Sequence, residues 1–136
     1  MNPSQVSSEF MAAVNQALAE AAQSPDPAVA YMAQHVPIYA QLAPTEQQAR
    51  AGGCPHCWYL GLWANSWPGY EVVPHGTIWL FEAGIRHSTK DVYQGALSTL
   101  LHEMDHALQR DHVLEAMEWK QVTQGQRTYA QVGYGP

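Results

Sequence analysis

Five consecutive residues, His102-Glu103-Met104-Asp105-His106, set two imidazoles four positions apart with a carboxylate between them, and a further histidine follows at His112. On an α-helix, residues four apart lie one above the other on one face, so His102 and His106 can present two nitrogens to one ion. A single Zn2+ suits that pair, because imidazole nitrogen is a usual zinc ligand and a catalytic zinc keeps one coordination position open. Glu103 stands three residues before His106 and so lies near the same face. From there its carboxylate can take a proton from an activated water without itself ligating the ion. The segment therefore offers two ligands and a base, the ingredients of metal-assisted hydrolysis.

A plain alternative is a surface helix that carries histidines and acids by accident. With seven His in the chain, such a pattern arises in roughly 0.02 of chains of this composition, and asking for His112 as well lowers that to on the order of 0.001. Accident is the weaker explanation.

His112 is the expected third ligand, and it makes a demand on the backbone. On a continued helix it would point roughly 240° around the axis from His106, away from a shared ion. The chain is therefore expected to turn after Leu108. A glycine could make that turn in a left-handed conformation, but the residue there is Gln109, which adopts it only with strain. Asp111, Glu115 and Glu118 are the rival ligands nearby.

The element that must hold these groups is a helix expected over Thr89 to Leu108, with Ser88 or Thr89 as N-cap and Asp91 in the first turn. Its apolar positions are Val92, Ala96, Leu97, Leu100, Leu101, Met104, Ala107 and Leu108, a wide stripe that anchors it to a core. Gly95 within it lowers helix propensity and is expected to mark close packing against another backbone.

Three stretches resemble the small zincin-like metallopeptidases, the minimal matrix-metalloprotease-like domains: LGLW at Leu60 to Trp63, GTIWLFEAGI at Gly76 to Ile85, and TLLHEMDHALQRDH at Thr99 to His112. The resemblance spans Leu60 to Met117, and its last piece is the specific one. It implies an α+β fold: a single compact zincin-like domain over residues 1–136, with a short mixed sheet packed beside the helix that carries HExxH. It further implies His102, His106 and His112 as ligands of one Zn2+, Glu103 as general base, and a peptide or protein substrate. The chain departs from the family pattern at Gln109, where a glycine is usual, and in a segment bearing Cys54-Pro55-His56-Cys57. The alternative function is a non-catalytic domain in which zinc cross-links the helix to the turn at His112 and stabilises the fold.

Composition narrows the remaining classes. A length of 136 residues suits one core, and a 46% apolar fraction excludes wholesale disorder. A formal charge of −6 with only six Lys plus Arg argues against nucleic acid, whose binding needs clustered cations. No basic-then-apolar leader and no run of eighteen apolar residues is visible, so neither membrane insertion nor export is expected and a cytoplasmic location is the default.

Elsewhere, Ser7 or Ser8 is expected to cap a helix starting near Glu9, with Phe10, Val14, Ala17, Leu18 and Ala21 on one stripe covering the sheet. Ser24 to Pro27 stops it, and Ala28 to Leu42 reads as a short helical or extended piece bent at Pro37. Pro44 to Gly53 reads as a loop with a helical turn at Thr45 to Arg50. Trp58 to Trp63 and Tyr70 to Val73 are a candidate hairpin, and Thr77 to Phe81 is a candidate strand bounded by glycines. If that last strand lies at an edge, residues 77–82 offer main-chain hydrogen bonds to a peptide; a strand buried on both sides is the competing expectation.

Cys54 and Cys57 fit loop thiols or a local disulfide best, with half of a second metal site or a redox pair as alternatives. His75 and His87 read as surface or loop residues. Met117 reads as packing on a terminal helix over residues 113–122. Tyr129 and Tyr134 lie on a glycine-containing tail, from which a phenol could reach an oxyanion; a mobile tail is the equal alternative.

Overall fold

In a computed structural model of the chain, residues 5–51, 59–64 and 76–110 are described here. They form five helices and three strands: α1 (Ser8–Ala22), α2 (Pro27–His35), β1 (Ile38–Gln41), α3 (Glu46–Ala51), β2 (Gly61–Ala64), β3 (Thr77–Phe81), α4 (Glu82–Ser88) and α5 (Val92–Arg110). The class is α+β, with a small mixed sheet in the order β1-β3-β2. β1 runs parallel to β3 with Ile38 opposite Ile78, and β2 runs antiparallel with Gly61 opposite Leu80. None of the helices is long and apolar enough to cross a membrane.

Local chemistry accounts for most boundaries. Ser7 caps α1 by accepting from the Phe10 amide at 3.0 Å, and Asp26 caps α2 by accepting from the Ala28 amide at 2.9 Å, one residue before a proline suited to the first helical position. Thr45 and Gln48 form a reciprocal capping box at α3: each side chain accepts from the other's amide, at 3.1 and 2.9 Å. Asp91, rather than Ser88 or Thr89, opens α5, since its carboxylate accepts from the Gln94 amide at 3.0 Å. The displacement has a simple cause. The short helix α4, which has no counterpart among the elements expected from the pattern, takes Ser88 as its last residue and Thr89 as its C-cap.

The core lies between the sheet and the layer of α1, α2 and α5. Ile38, Ala40, Ile78 and Leu80 from one sheet face meet Phe10, Val14, Leu18, Met32, Leu100 and Met104 from the helices. Burying each of the larger side chains stabilises the fold by about 1.5–3 kcal/mol. The expected stripe of α1 is buried in full; α1 packs chiefly on α5 and α2 and reaches the sheet at β1, while α5 covers β2 and β3. On the far sheet face Tyr39 and Trp79 stack with centroids 6.3 Å apart.

Two sequence expectations need correcting. Strand β3 is central and buried along its length, with β1 on one side and β2 on the other, so residues 77–81 have no open edge for a peptide to pair with. Leu101 is exposed, because the buried stripe of α5 is narrower than the run of apolar residues suggests. The partner of β2 is β3, while the proposed hairpin strand Tyr70 to Val73 lies outside the described residues.

Candidate metal centre

α5 is a two-sided helix at its C-terminal half. Thr99, Leu100, Glu103, Met104 and Ala107 are buried against the core and sheet, whereas His102, Asp105 and His106 face outward. Gly95, on the turn that meets α4, sits where a Cβ would come within 2.6 Å of both Ile85 Cγ2 and Thr89 Cγ2. The close packing expected there exists, against side chains rather than another backbone. It fixes how far α5 lies from α4 and so anchors the helix that carries the histidines.

His102 and His106 converge. Their Nε2 atoms are 2.9 Å apart and the rings meet edge to face, with centroids at 4.5 Å and planes at 90°. Without an ion, one ring in its Nε2–H tautomer donates to the bare Nε2 of the other. With an ion, each Nε2 would offer it a lone pair. Two imidazoles on a tetrahedral zinc at ordinary Zn–N lengths stand about 3.3 Å apart, so a rotation of either ring opening the pair by a few tenths of an ångström suffices. Glu103 completes the cluster: one ligand atom from each of His102, Glu103 and His106 lies within 4.8 Å of the others. The donor set and its spacing fit a zinc ion.

Glu103 is 6% exposed and has no hydrogen-bond or ion-pair partner among the described residues. Burial alone pushes its carboxyl from the ordinary value near 4.5 to about 7. Thr99, one turn earlier on the same helix face, is also buried, and its Oγ1 has no partner among the described residues. The neighbour that lets α5 lie so close to the sheet is Gly61 on β2. A Cβ there would fall 2.8 Å from Thr99 Cγ2, 3.0 Å from Glu103 Cγ and 3.0 Å from the Trp79 carbonyl oxygen. Neither Gly61 nor Thr99 stands out in the sequence as a site residue. A glycine within a strand does mark close approach of another element, and that signal was present in LGLW.

His112 lies outside the described residues, as do Cys54, Cys57, His75, Met117, Tyr129 and Tyr134. The turn expected after Leu108 is not there: α5 continues through Gln109 to Arg110. The physical reason is the one that made Gln109 unsuited to a left-handed turn, since without glycine the helical conformation is the lower in energy. His87 is exposed in the last turn of α4, and His35 sits at the end of α2 with its ring 4.3 Å from that of Tyr31, so neither joins the cluster. Neither family models nor curated proteins nor solved structures give a match to this chain.

Proposed function

We propose that this chain is a zinc-dependent peptidase in which His102 and His106 hold one Zn2+, His112, two residues beyond the last residue of α5, swings back as third ligand, and Glu103 acts as general base. The observation that carries the reading is the pairing of two convergent, outward-facing imidazoles with a buried carboxyl that has no partner among the described residues. An isolated buried carboxyl destabilises a fold, and such groups concentrate where their altered proton affinity is used.

When bound, zinc polarises the scissile carbonyl and lowers the pKa of a coordinated water toward about 7. The chain's own residues do the rest. His102 and His106 fix the position of the site on a helix anchored along its opposite face. The Glu103 carboxylate takes the proton of the attacking water and hands it to the departing amine. Burial raises this carboxyl to about 7 in the metal-free chain, and a bound cation would lower it from there, which favours the carboxylate as base while burial keeps it a serviceable acid for the return transfer.

A purely structural ion would close with four protein ligands, Glu103 among the candidates, and leave no open position for a reacting water, so it gives the carboxyl no part in proton transfer. The test is to incubate zinc-loaded protein with a pool of internally quenched peptides, beside Glu103→Gln. Cleavage by the parent and none by the variant is expected. Equal cleavage by both would remove Glu103 from the mechanism, and no cleavage by either would leave the binding-domain reading in its place.

A further inference from the structure

We infer that the absent side chain at Gly61 positions the Glu103 carboxylate, making Gly61 a positioning residue for proton transfer. The inference rests on the peptidase reading of the same site and extends it from α5 to the neighbouring strand.

Gly61 and Trp63 lie on the sheet face shared by Leu80 and Ile78, the face on which α5 packs. Three atoms would crowd a Cβ at position 61, and they differ in how they can respond. The Trp79 oxygen, 3.0 Å away, belongs to the backbone of the central strand, which is held by neighbours on both sides. The Thr99 methyl, at 2.8 Å, belongs to a β-branched side chain with restricted freedom on a helix. Glu103 Cγ, at 3.0 Å, belongs to the one flexible side chain of the three. Glu103 therefore yields to any added atom, by turning about its own torsions. The Glu103 Cγ thus rests against the space that Gly61 leaves open, while a carboxylate oxygen of the same side chain lies within 4.8 Å of a ring nitrogen of each histidine. A strand glycine gives up packing and backbone order that most residues would supply, and here its smallness keeps a carboxylate in register with two imidazoles one helical turn apart.

The role separates from simple packing because the stiffer of the two side-chain contacts can be relieved by itself, the 3.0 Å approach to the Trp79 oxygen being left to a small shift of β2. Thr99→Ser removes the stiff methyl that an alanine at 61 would strike and leaves the contact with Glu103 Cγ. The comparison is thus Thr99→Ser alone against Gly61→Ala/Thr99→Ser. Three readouts are needed: thermal midpoint, zinc affinity by chelator competition, and the side-chain carboxyl 13C resonance of Glu103 in zinc-free protein, assigned by its loss in Glu103→Gln. Where the parent cleaves a quenched peptide, kcat and KM on that peptide are added.

The expected result is a double variant with a thermal midpoint within a few degrees of Thr99→Ser, zinc affinity within about twofold, a moved Glu103 resonance, and kcat down by tenfold or more at unchanged KM. A resonance that superimposes on that of Thr99→Ser overturns the inference whether or not the protein has peptidase activity. So does an unchanged kcat, or a fall in kcat matched by an equal loss of zinc. Failure of the unaltered chain to cleave any peptide counts against the peptidase reading instead, and the resonance alone then decides the placement of Glu103.

Discussion

Glu82 and Glu103 are almost equally hidden, at 5% and 6% exposure, yet their surroundings are opposite. Burial pushes the Glu82 carboxyl up, but the Ser7 amide at 2.8 Å, the Ser7 hydroxyl at 2.7 Å and the Arg86 guanidinium at 2.7 Å together bring it below its ordinary value. Glu103 feels burial alone and rises to about 7. The first carboxylate ties the start of α1 to α4, and every donor around it is matched. The second is held in the fold at a net cost and faces two histidines. One chain thus contains a glutamate matched to its donors and an equally hidden one with no partner among the described residues, for which the proposed function supplies a use.

The contrast can be broken most forcefully by activity. Glu103→Gln is expected to reduce kcat by about 10²–10⁴-fold, the range for losing a general base, while leaving zinc stoichiometry unchanged in metal analysis. Glu82→Ala should leave zinc binding alone. A variant of Glu82 that loses zinc, or a Glu103 variant that keeps its kcat, would erase the distinction.

Acid titration sharpens the same comparison in zinc-free protein, because the two groups act in different windows and with opposite sign. The folded-state pKa of Glu103 exceeds its unfolded value, so the folded chain binds the extra proton between about 4.5 and 7. Stability should therefore rise as pH falls through that window, by up to about 3 kcal/mol, and Glu103→Gln should flatten the rise. The Glu82 pKa lies below 4.5. Its contribution is present above that value and is lost as pH falls further, and Glu82→Gln should remove that loss. Urea unfolding at a series of pH values reads both slopes.

Smaller effects follow from the framework. Glu82→Ala leaves the Ser7 donors and Arg86 without their shared acceptor and should destabilise the fold by about 2 kcal/mol in urea denaturation. Asp91→Ala removes the cap on α5 and should cost about 1 kcal/mol. A cap substitution that also weakened zinc binding would mean that the two ends of α5 are coupled, which the separate anchorage of the helix does not call for.

Much of this was legible in sequence because it is local. The α1 stripe with its serine cap, the limits of β3 between its flanking glycines, and the shared face of His102 and His106 all follow from periodicity and spacing within a few residues. What escaped depends on distant partners. The stretch Ala28 to Leu42 divides into α2 and β1 only because Ile38 to Gln41 find β3 about forty residues on, and β3 is closed to a peptide because both its edges are taken. The start of α5 shifts to Asp91 because α4 claims Ser88 and Thr89. The isolation of Glu103 is likewise invisible in HEMDH itself. It comes from the sheet beneath and from a glycine more than forty positions earlier in the chain.

The central claim is that His102 and His106 jointly hold a divalent ion, and zinc titration against a chromophoric chelator measures it directly. One zinc per chain is expected, with affinity falling about a hundredfold or more in His102→Ala and in His106→Ala. Undiminished uptake by the doubly substituted protein, or no uptake by the unaltered chain at excess zinc, would contradict it.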